Sequence, residues 1–247
     1  MSTFFAHRGA STLAPENTLA AFRLASEHGA RWVELDVDTL ADGTLVVMHD
    51  TTLDRTTNRS GSYNEWTATD LLGVDAGSWF GPEFAGEPLP TLPQCLELLA
   101  GAGVNVNVEL KSPTAGGAAA ERLRGGVADV LDEYEERFPG AEFLVSSFNP
   151  VLLDRFKQGR PQTRIAWLTE AGVLGEDWRA IAETLGAEAI NPADRDLERG
   201  IVEEIRSYEF AVNVWTVNSR ARMNELFNWG VTGVFTDRIQ ELSDLHK

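Results

Sequence analysis

Short apolar runs of β-forming character recur along the chain with helix-forming stretches between them, and this alternation constrains the fold more than any other feature. The runs are Phe4–His7, Trp32–Asp36, Asn105–Glu109, Glu142–Ser146, Arg164–Trp167, Ala187–Ile190, Ala211–Thr216 and Gly233–Thr236. Strands that alternate with helices build right-handed βαβ units. Eight of them close a parallel barrel, and 247 residues match the length such a barrel needs. The expectation is an α/β chain, a TIM (β/α)₈ barrel, with residues 1–247 forming a single domain.

Helix start and stop signals agree with this. Asn17 is expected to cap a helix over Thr18–His28 that Gly29 stops; Ser219 is expected to cap one over Arg220–Trp229 that Gly230 stops. Helical patterns also cover Leu92–Leu99, Ala119–Arg137, Pro150–Gln158, Asp177–Leu185, Arg199–Tyr208 and Ile239–Leu245. The Gly/Ala-rich Thr114–Ala120 reads as a flexible loop. One stretch breaks the rhythm. Leu45–His49 reads as an extra strand joined to the second through an Asp42-Gly43 turn, and Asp50–Pro90 holds no crossover helix of normal length. Residues 50–90 are expected to form a small insertion over the barrel mouth, too short for a full core of its own. Its Trp66, Trp79 and Phe80 need something to pack against.

The second strand carries the first chemical signal. Glu34 and Asp36 are two residues apart and share a face, while Val33, Leu35 and Val37 occupy the other. In a barrel the apolar face meets the helices, so both carboxylates point inward. Unpaired carboxylates there are costly. A divalent cation is the simplest remedy, and ion pairing with Arg8 or Lys111 is the other. Glu109 ends the third run and adds a third carboxylate. Three oxygen ligands, with no Cys or His cluster at ligand spacing, suit Ca²⁺ or Mg²⁺ better than Zn²⁺. Lys111 shares the inward parity of Glu109, which suits contact with an anion; a surface lysine opening a loop fits its position equally.

The net charge of −17 makes nucleic acid and stable association with anionic lipid unlikely partners. It also repels a phosphate-bearing substrate, unless a cation or a few arginines reverse the field locally. Cys95 is the single cysteine, so no intrachain disulfide forms, and its apolar helical setting marks a buried structural thiol. No apolar run approaches the roughly 18–20 residues that span a bilayer. Phe4-Phe5-Ala6 follows the start so closely that no signal peptide fits before it. A cytoplasmic location is therefore expected.

His7 and His49 stand beside these strand ends. A metal and the cations Arg8 and Lys111 would neutralise a phosphate. Two imidazoles would supply one general base and one general acid near neutral pH. This is a phosphoester-cleaving set. His28, at a helix end, and His246, in the tail, read as structural or solvated.

An ordered series of short motifs extends the pattern: His7-Arg8-Gly9, Pro15-Glu16-Asn17-Thr18, Glu34-Leu35-Asp36-Val37, His49-Asp50, then Leu53-Asp54-Arg55-Thr56-Thr57-Asn58. Asp75-Ala76-Gly77-Ser78-Trp79-Phe80, Pro90-Thr91-Leu92, Glu109-Leu110-Lys111, Ser146-Ser147-Phe148, Trp215-Thr216-Val217-Asn218 and Thr236-Asp237-Arg238 complete it. Over essentially its whole length the chain resembles the glycerophosphodiester phosphodiesterases, of the phospholipase C-like superfamily. The resemblance implies a (β/α)₈ barrel with an insertion after the second strand. It implies hydrolysis of glycerophosphodiesters, small-molecule substrates, to sn-glycerol 3-phosphate and an alcohol, usually with one divalent cation. By motif match, Glu34, Asp36 and Glu109 would be the metal ligands, and His7 and His49 the catalytic acid and base. Arg8 and Lys111 would contact the phosphate, and Phe148 and Trp215 would line the glycerol side. Glu16 would orient the first loop or cap it. Thr12, Leu13, Arg59 and Ile239 depart from the family's common residues, and none of them removes a catalytic group. A lysophospholipase D-type diesterase on the same barrel is the nearest alternative, for which Trp66, Trp79, Phe80 and Phe84 could form an acyl rim. A non-catalytic phosphodiester-binding protein is a further one, disfavoured because both histidines are present.

Overall fold

The structure is a computed structural model that describes residues 2–111 and 117–242. Its strands are β1 (Thr3–His7), β2 (Trp32–Thr39), β3 (Leu45–Val47), β4 (Asn105–Leu110), β5 (Phe143–Ser147), β6 (Ile165–Thr169), β7 (Ala189–Pro192), β8 (Ala211–Val214) and β9 (Gly233–Thr236). All but β3 pair in parallel, and the β1–β2 and β1–β9 pairings close them into an eight-stranded barrel. The strand β3 lies outside, antiparallel to the end of β2. This pairing explains why β2 outruns its expected end at Asp36.

The crossovers are α1 (Leu19–Glu27), α2 (Leu92–Gly101), α3 (Gly117–Arg137), α4 (Pro150–Gly159), α5 (Trp178–Leu185), α6 (Arg199–Ser207) and α7 (Arg220–Trp229). Two expectations are corrected. Asn17 does not cap α1; Thr18 does, its hydroxyl accepting from the Ala21 amide at 3.2 Å, while Asn17 takes a left-handed backbone (φ 57). The last helical pattern is only a 3₁₀ turn over Ile239–Leu242, and its remaining expected residues, with His246, lie outside the described set. Of the expected loop 114–120, the described Gly117–Ala120 open α3.

The strict alternation of β2 places Val33, Leu35 and Val37 in the core between barrel and helices, where Cys95 is also buried. Its even-numbered residues point into the barrel. At the barrel floor Leu144, Ala166 and Ala189 pack beside Trp32, Phe5 stacks on Phe235 at 4.4 Å, and the buried Asn213 donates to Asn191 at 3.0 Å. Nearer the mouth, Asn107 donates to Ser146 at 2.9 Å. The stretch between β3 and α2 packs Met48, Leu53, Tyr63, Val74, Ala76 and Leu89 against Leu40 and Val46 in a second small cluster, with Trp66 packed on it. Phe84 of this excursion packs on Ala14, Ala20 and Ala21, so the excursion braces the loop after β1. Among the described residues, no helix is long and apolar enough to cross a membrane.

Candidate active site

Register sets the site. His7 lies opposite Glu34 in the β1–β2 ladder, Glu34 opposite Asn107 and Asp36 opposite Glu109 in the β2–β4 ladder. His7 closes β1 and Glu109 stands next to the end of β4, so the cluster faces the C-terminal side of the barrel, where parallel barrels build chemistry. A cavity of about 270 Å³ opens there, lined by His7, Arg8, His49, Lys111, Phe148 and Trp215 together with Glu34 and Glu109. Sequence reasoning had picked out each of these residues, and the fold brings them to one place. Asp36 lies buried beside them.

Ligand oxygens of Glu34, Asp36 and Glu109 lie within 4.8 Å of one another, and all three residues are buried. Burial and the neighbouring Asp36 and Glu109 charges push the Glu34 carboxyl well up. Burial and Asp36 raise Glu109 to about 7, against the pull of Lys111. Asp36 moves the other way: burial would raise it, but the positive charges of Lys111 and Arg8 hold it below the usual carboxylate range. Both ion pairings foreseen for this pair exist. Lys111 Nζ is 3.3 Å from Asp36 and 2.8 Å from Glu109. Arg8 Nε is 3.2 Å from Asp36, without hydrogen-bond alignment. They do not exhaust the cluster, since Glu34 Oε1 is buried and accepts no hydrogen bond, and Asp36 Oδ1 has only the Lys111 ammonium at 3.3 Å. A set of hard oxygens with open lone pairs and unneutralised charge fits a divalent cation of the Ca²⁺ or Mg²⁺ type.

Each histidine is held by a carboxylate at Nδ1. His7 meets Asp237 at 2.7 Å, and His49 meets Asp50 at 2.8 Å. Each carboxylate therefore accepts the Nδ1 proton and leaves Nε2 as the working nitrogen. Asp237 also accepts from Asn218 at 2.7 Å. Burial would raise it, but the bond from His7 holds it at about 2. Asp50, bonded chiefly by Arg55 and then by His49, is likewise held at about 2. Burial lowers the His49 imidazole.

The loop after β1 is bent for this purpose. Arg8 takes φ 55, a strained conformation for a side chain of its size, and its amide donates to Glu34 at 3.0 Å. Gly9 follows at φ 86, and a Cβ there would lie 2.8 Å from the backbone of Ala21. The Asn17 amide donates to Asp36 at 2.8 Å, which fixes the orientation of that carboxylate. Trp215 donates from Nε1 to the Asn191 carbonyl at 2.9 Å and meets Phe148 edge-on at 5.4 Å. Sequence reasoning missed the parts played by Asp237, Asp50, Asn17, Arg55 and Asn218. All five lie in the motif series, which marks them without saying what they do.

The family model for the glycerophosphoryl diester phosphodiesterase family matches residues 7–241. A glycerophosphodiester phosphodiesterase of Caldanaerobacter subterraneus subsp. tengcongensis is 36% identical, over 97% of this chain and 96% of that protein. One from Bacillus subtilis is 34% identical, over 94% of this chain and 82% of that protein. Among solved structures, an Oleispira antarctica phosphodiesterase in complex with its product sn-glycerol-3-phosphate superposes with a TM-score of 0.92. It is 31% identical, covering 99% of this chain and 96% of the other.

Proposed function

The chain belongs to the glycerophosphoryl diester phosphodiesterase family and is a phosphodiester hydrolase; from that premise we propose a metal-dependent cleavage with His7 and His49 as general acid and base. The substrates are glycerophosphodiesters and the products sn-glycerol 3-phosphate and an alcohol, in line with the product bound by the Oleispira antarctica relative. The observation that carries the reading is the pair of carboxylate-held histidines in one cavity with three buried acids. Glu34, Asp36 and Glu109 would hold the ion, with Ca²⁺ and Mg²⁺ the fitting candidates. When bound, it supplies positive charge to the phosphate oxygens and lowers the pKa of a hydroxyl it touches.

The rest falls to the chain's own side chains. Arg8 and Lys111 neutralise the phosphate, Arg8 as a fork and Lys111 as a point charge. One histidine takes the proton of the attacking hydroxyl, water or the glycerol 2-hydroxyl, at its free Nε2, and the other gives a proton to the departing alcohol oxygen. Attack by water yields glycerol 3-phosphate directly; attack by the 2-hydroxyl yields a cyclic phosphate, which water then opens with the two histidines in exchanged roles. Phe148 and Trp215 present an apolar wall to the glycerol carbons. Release of glycerol 3-phosphate from glycerophosphocholine and glycerophosphoethanolamine, with chelator and with Ca²⁺, Mg²⁺ or Mn²⁺ restored, tests the proposal. Turnover that persists in chelator removes the metal from it, and turnover confined to acylated lysolipids removes the substrate class.

A further inference from the structure

Arg55 does not line the cavity, yet its guanidinium ties together two loops that do. Nη1 and Nη2 each donate to Glu16 at 2.7 Å, and Nε and Nη2 donate to Asp50 at 2.7 and 2.9 Å. Glu16 accepts from Arg8 at 2.9 Å, and Asp50 pairs with His49 at 2.8 Å. A line of alternating charge thus runs Arg8–Glu16–Arg55–Asp50–His49, from one edge of the cavity to another.

Both anchors of the line are braced. Leu53, buried, hydrogen-bonds Gly61 through its amide at 3.0 Å, and the Thr57 hydroxyl bonds back to Leu53 at 2.7 Å, so the Arg55 turn is closed on itself. The Tyr63 hydroxyl, shared with Asp38, lies 3.0 Å from the Asp50 carbonyl. On the other side the Asn17 backbone N–H donates to the Arg8 carbonyl at 3.1 Å, and the Thr18 hydroxyl donates to the Pro15 carbonyl at 2.7 Å. Two rigid turns joined by a planar, doubly bidentate fork define a distance; a flexible ammonium in the same place could satisfy only one carboxylate well.

We propose that Arg55 is a positioning residue: by bridging Glu16 and Asp50 it fixes Arg8 and His49 relative to each other, so that phosphate binding and proton transfer are aligned by a side chain that touches neither substrate nor metal. The proposal rests on the roles assigned above to Arg8 and His49. Misplacement of a reacting group by about 1 Å costs on the order of 10²-fold in rate, which sets the expected scale.

The test is steady-state kinetics on the full chain loaded with metal, with thermal unfolding followed in parallel. Arg55→Met is expected to lower kcat/KM about 10²-fold, with kcat falling and KM rising together. Arg55→Lys is expected to restore the melting temperature but only part of the activity. Asp50→Asn should act chiefly on kcat and Glu16→Gln chiefly on KM. Either one combined with Arg55→Met should cost less than the product of the two single losses. Kinetics of Arg55→Met within twofold of wild type overturn the proposal, as do full rescue by Arg55→Lys or multiplicative double variants. If Arg55→Met does not fold, Arg55→Lys decides: full activity overturns the proposal and partial activity sustains it. His49→Ala and Arg8→Ala are assayed alongside. If those two keep turnover, the underlying reading fails; if they are dead while Arg55→Met is unaffected, only the coupling fails.

Discussion

His7 Nδ1 and Asp237 Oδ1 are 2.7 Å apart across the seam of the barrel, where the first strand meets the last. Asn218 holds the far oxygen of the same carboxylate at 2.7 Å, so the ring of His7 is oriented by residues from the other end of the chain. Asp237→Asn removes the charge and leaves an amide that can present a donor to Nδ1. The imidazole then loses its preferred tautomer. We expect kcat to fall by about 10²-fold or more with KM little changed. Steady-state kinetics check this, and a kcat within twofold of wild type would remove Asp237 from the mechanism.

His7→Ala and His49→Ala should each abolish measurable release of glycerol 3-phosphate. Neither ring is part of the apolar core, and the side chains are 17% and 35% exposed, so neither substitution opens a core cavity. The melting temperature should therefore move by no more than about 2 °C, within the range of substitutions outside the core. Near-full activity in either variant, with metal present, would sink the acid/base assignment.

The barrel and its inward acids were legible because both rest on short-range periodicity. A strand repeats every two residues, so Val33, Leu35 and Val37 on one face put Glu34 and Asp36 on the other. Closure, with eight parallel strands, followed from their number. The orienting residues were illegible for the opposite reason. Asp237 acts on His7 from 230 positions away, and nothing local marks the pairing. Asn17 was misread because an Asn before an apolar helical pattern is an N-cap signature. Its left-handed backbone, set by the turn after Arg8, aims the amide at Asp36 and passes the cap to Thr18. Arg55 stands in the Leu53–Asn58 motif with no role attached, and only the fold of the excursion brings Glu16 and Asp50 to it.

The carboxylate cluster makes stability depend on pH and metal together. Glu109 binds its proton more tightly in the folded protein, with a pKa raised from the ordinary 4.5 to about 7. A raised carboxyl favours the folded state most below the unfolded pKa, and that advantage is lost as pH rises through the folded one. Chelated protein should therefore lose stability between about pH 4.5 and 7. Asp50 and Asp237, held at about 2, work in the opposite sense, but only as pH falls below about 4. A divalent cation replaces the proton, so the gain in melting temperature on adding Ca²⁺ or Mg²⁺ should grow as pH rises across 4.5–7, where Glu109 gives up its proton. A metal-induced shift independent of pH would exclude these acids as ligands.

Glu34→Gln separates stability from function. Glu34 is buried with one oxygen unbonded and its acidity suppressed by burial and by Asp36 and Glu109, so in chelator its charge opposes folding. The amide removes that charge at nearly constant shape. In chelator near pH 7 the variant should melt at or above the wild type. It should also lose the metal-induced rise in melting temperature and most of its turnover. Differential scanning fluorimetry with and without metal reads both effects. A variant that keeps the full metal-induced rise would strike Glu34 from the ligand set.

Tyr63→Phe probes how the excursion supports His49. Tyr63 is buried, and its hydroxyl lies 2.8 Å from Asp38 Oδ2 and 3.0 Å from the Asp50 carbonyl. Asp38 is itself buried and keeps only the Thr39 amide at 2.7 Å once the hydroxyl is gone. Burial already raises the Asp38 carboxyl, and removing the Tyr63 bond that opposes this raises it further. A carboxyl raised in the folded state loses stability as pH climbs above its ordinary 3.8, so the cost of Tyr63→Phe should be larger at pH 7 than at pH 4. At neutral pH we expect about 1–3 kcal/mol, the usual cost of leaving a buried acceptor short of a donor. Because the Asp50 carbonyl also loses the hydroxyl it shares with Asp38, kcat should fall several-fold while KM holds. Paired denaturation curves at the two pH values, with kinetics at pH 7, test this. Equal losses at both pH values would show that the Asp38 contact does not carry the effect.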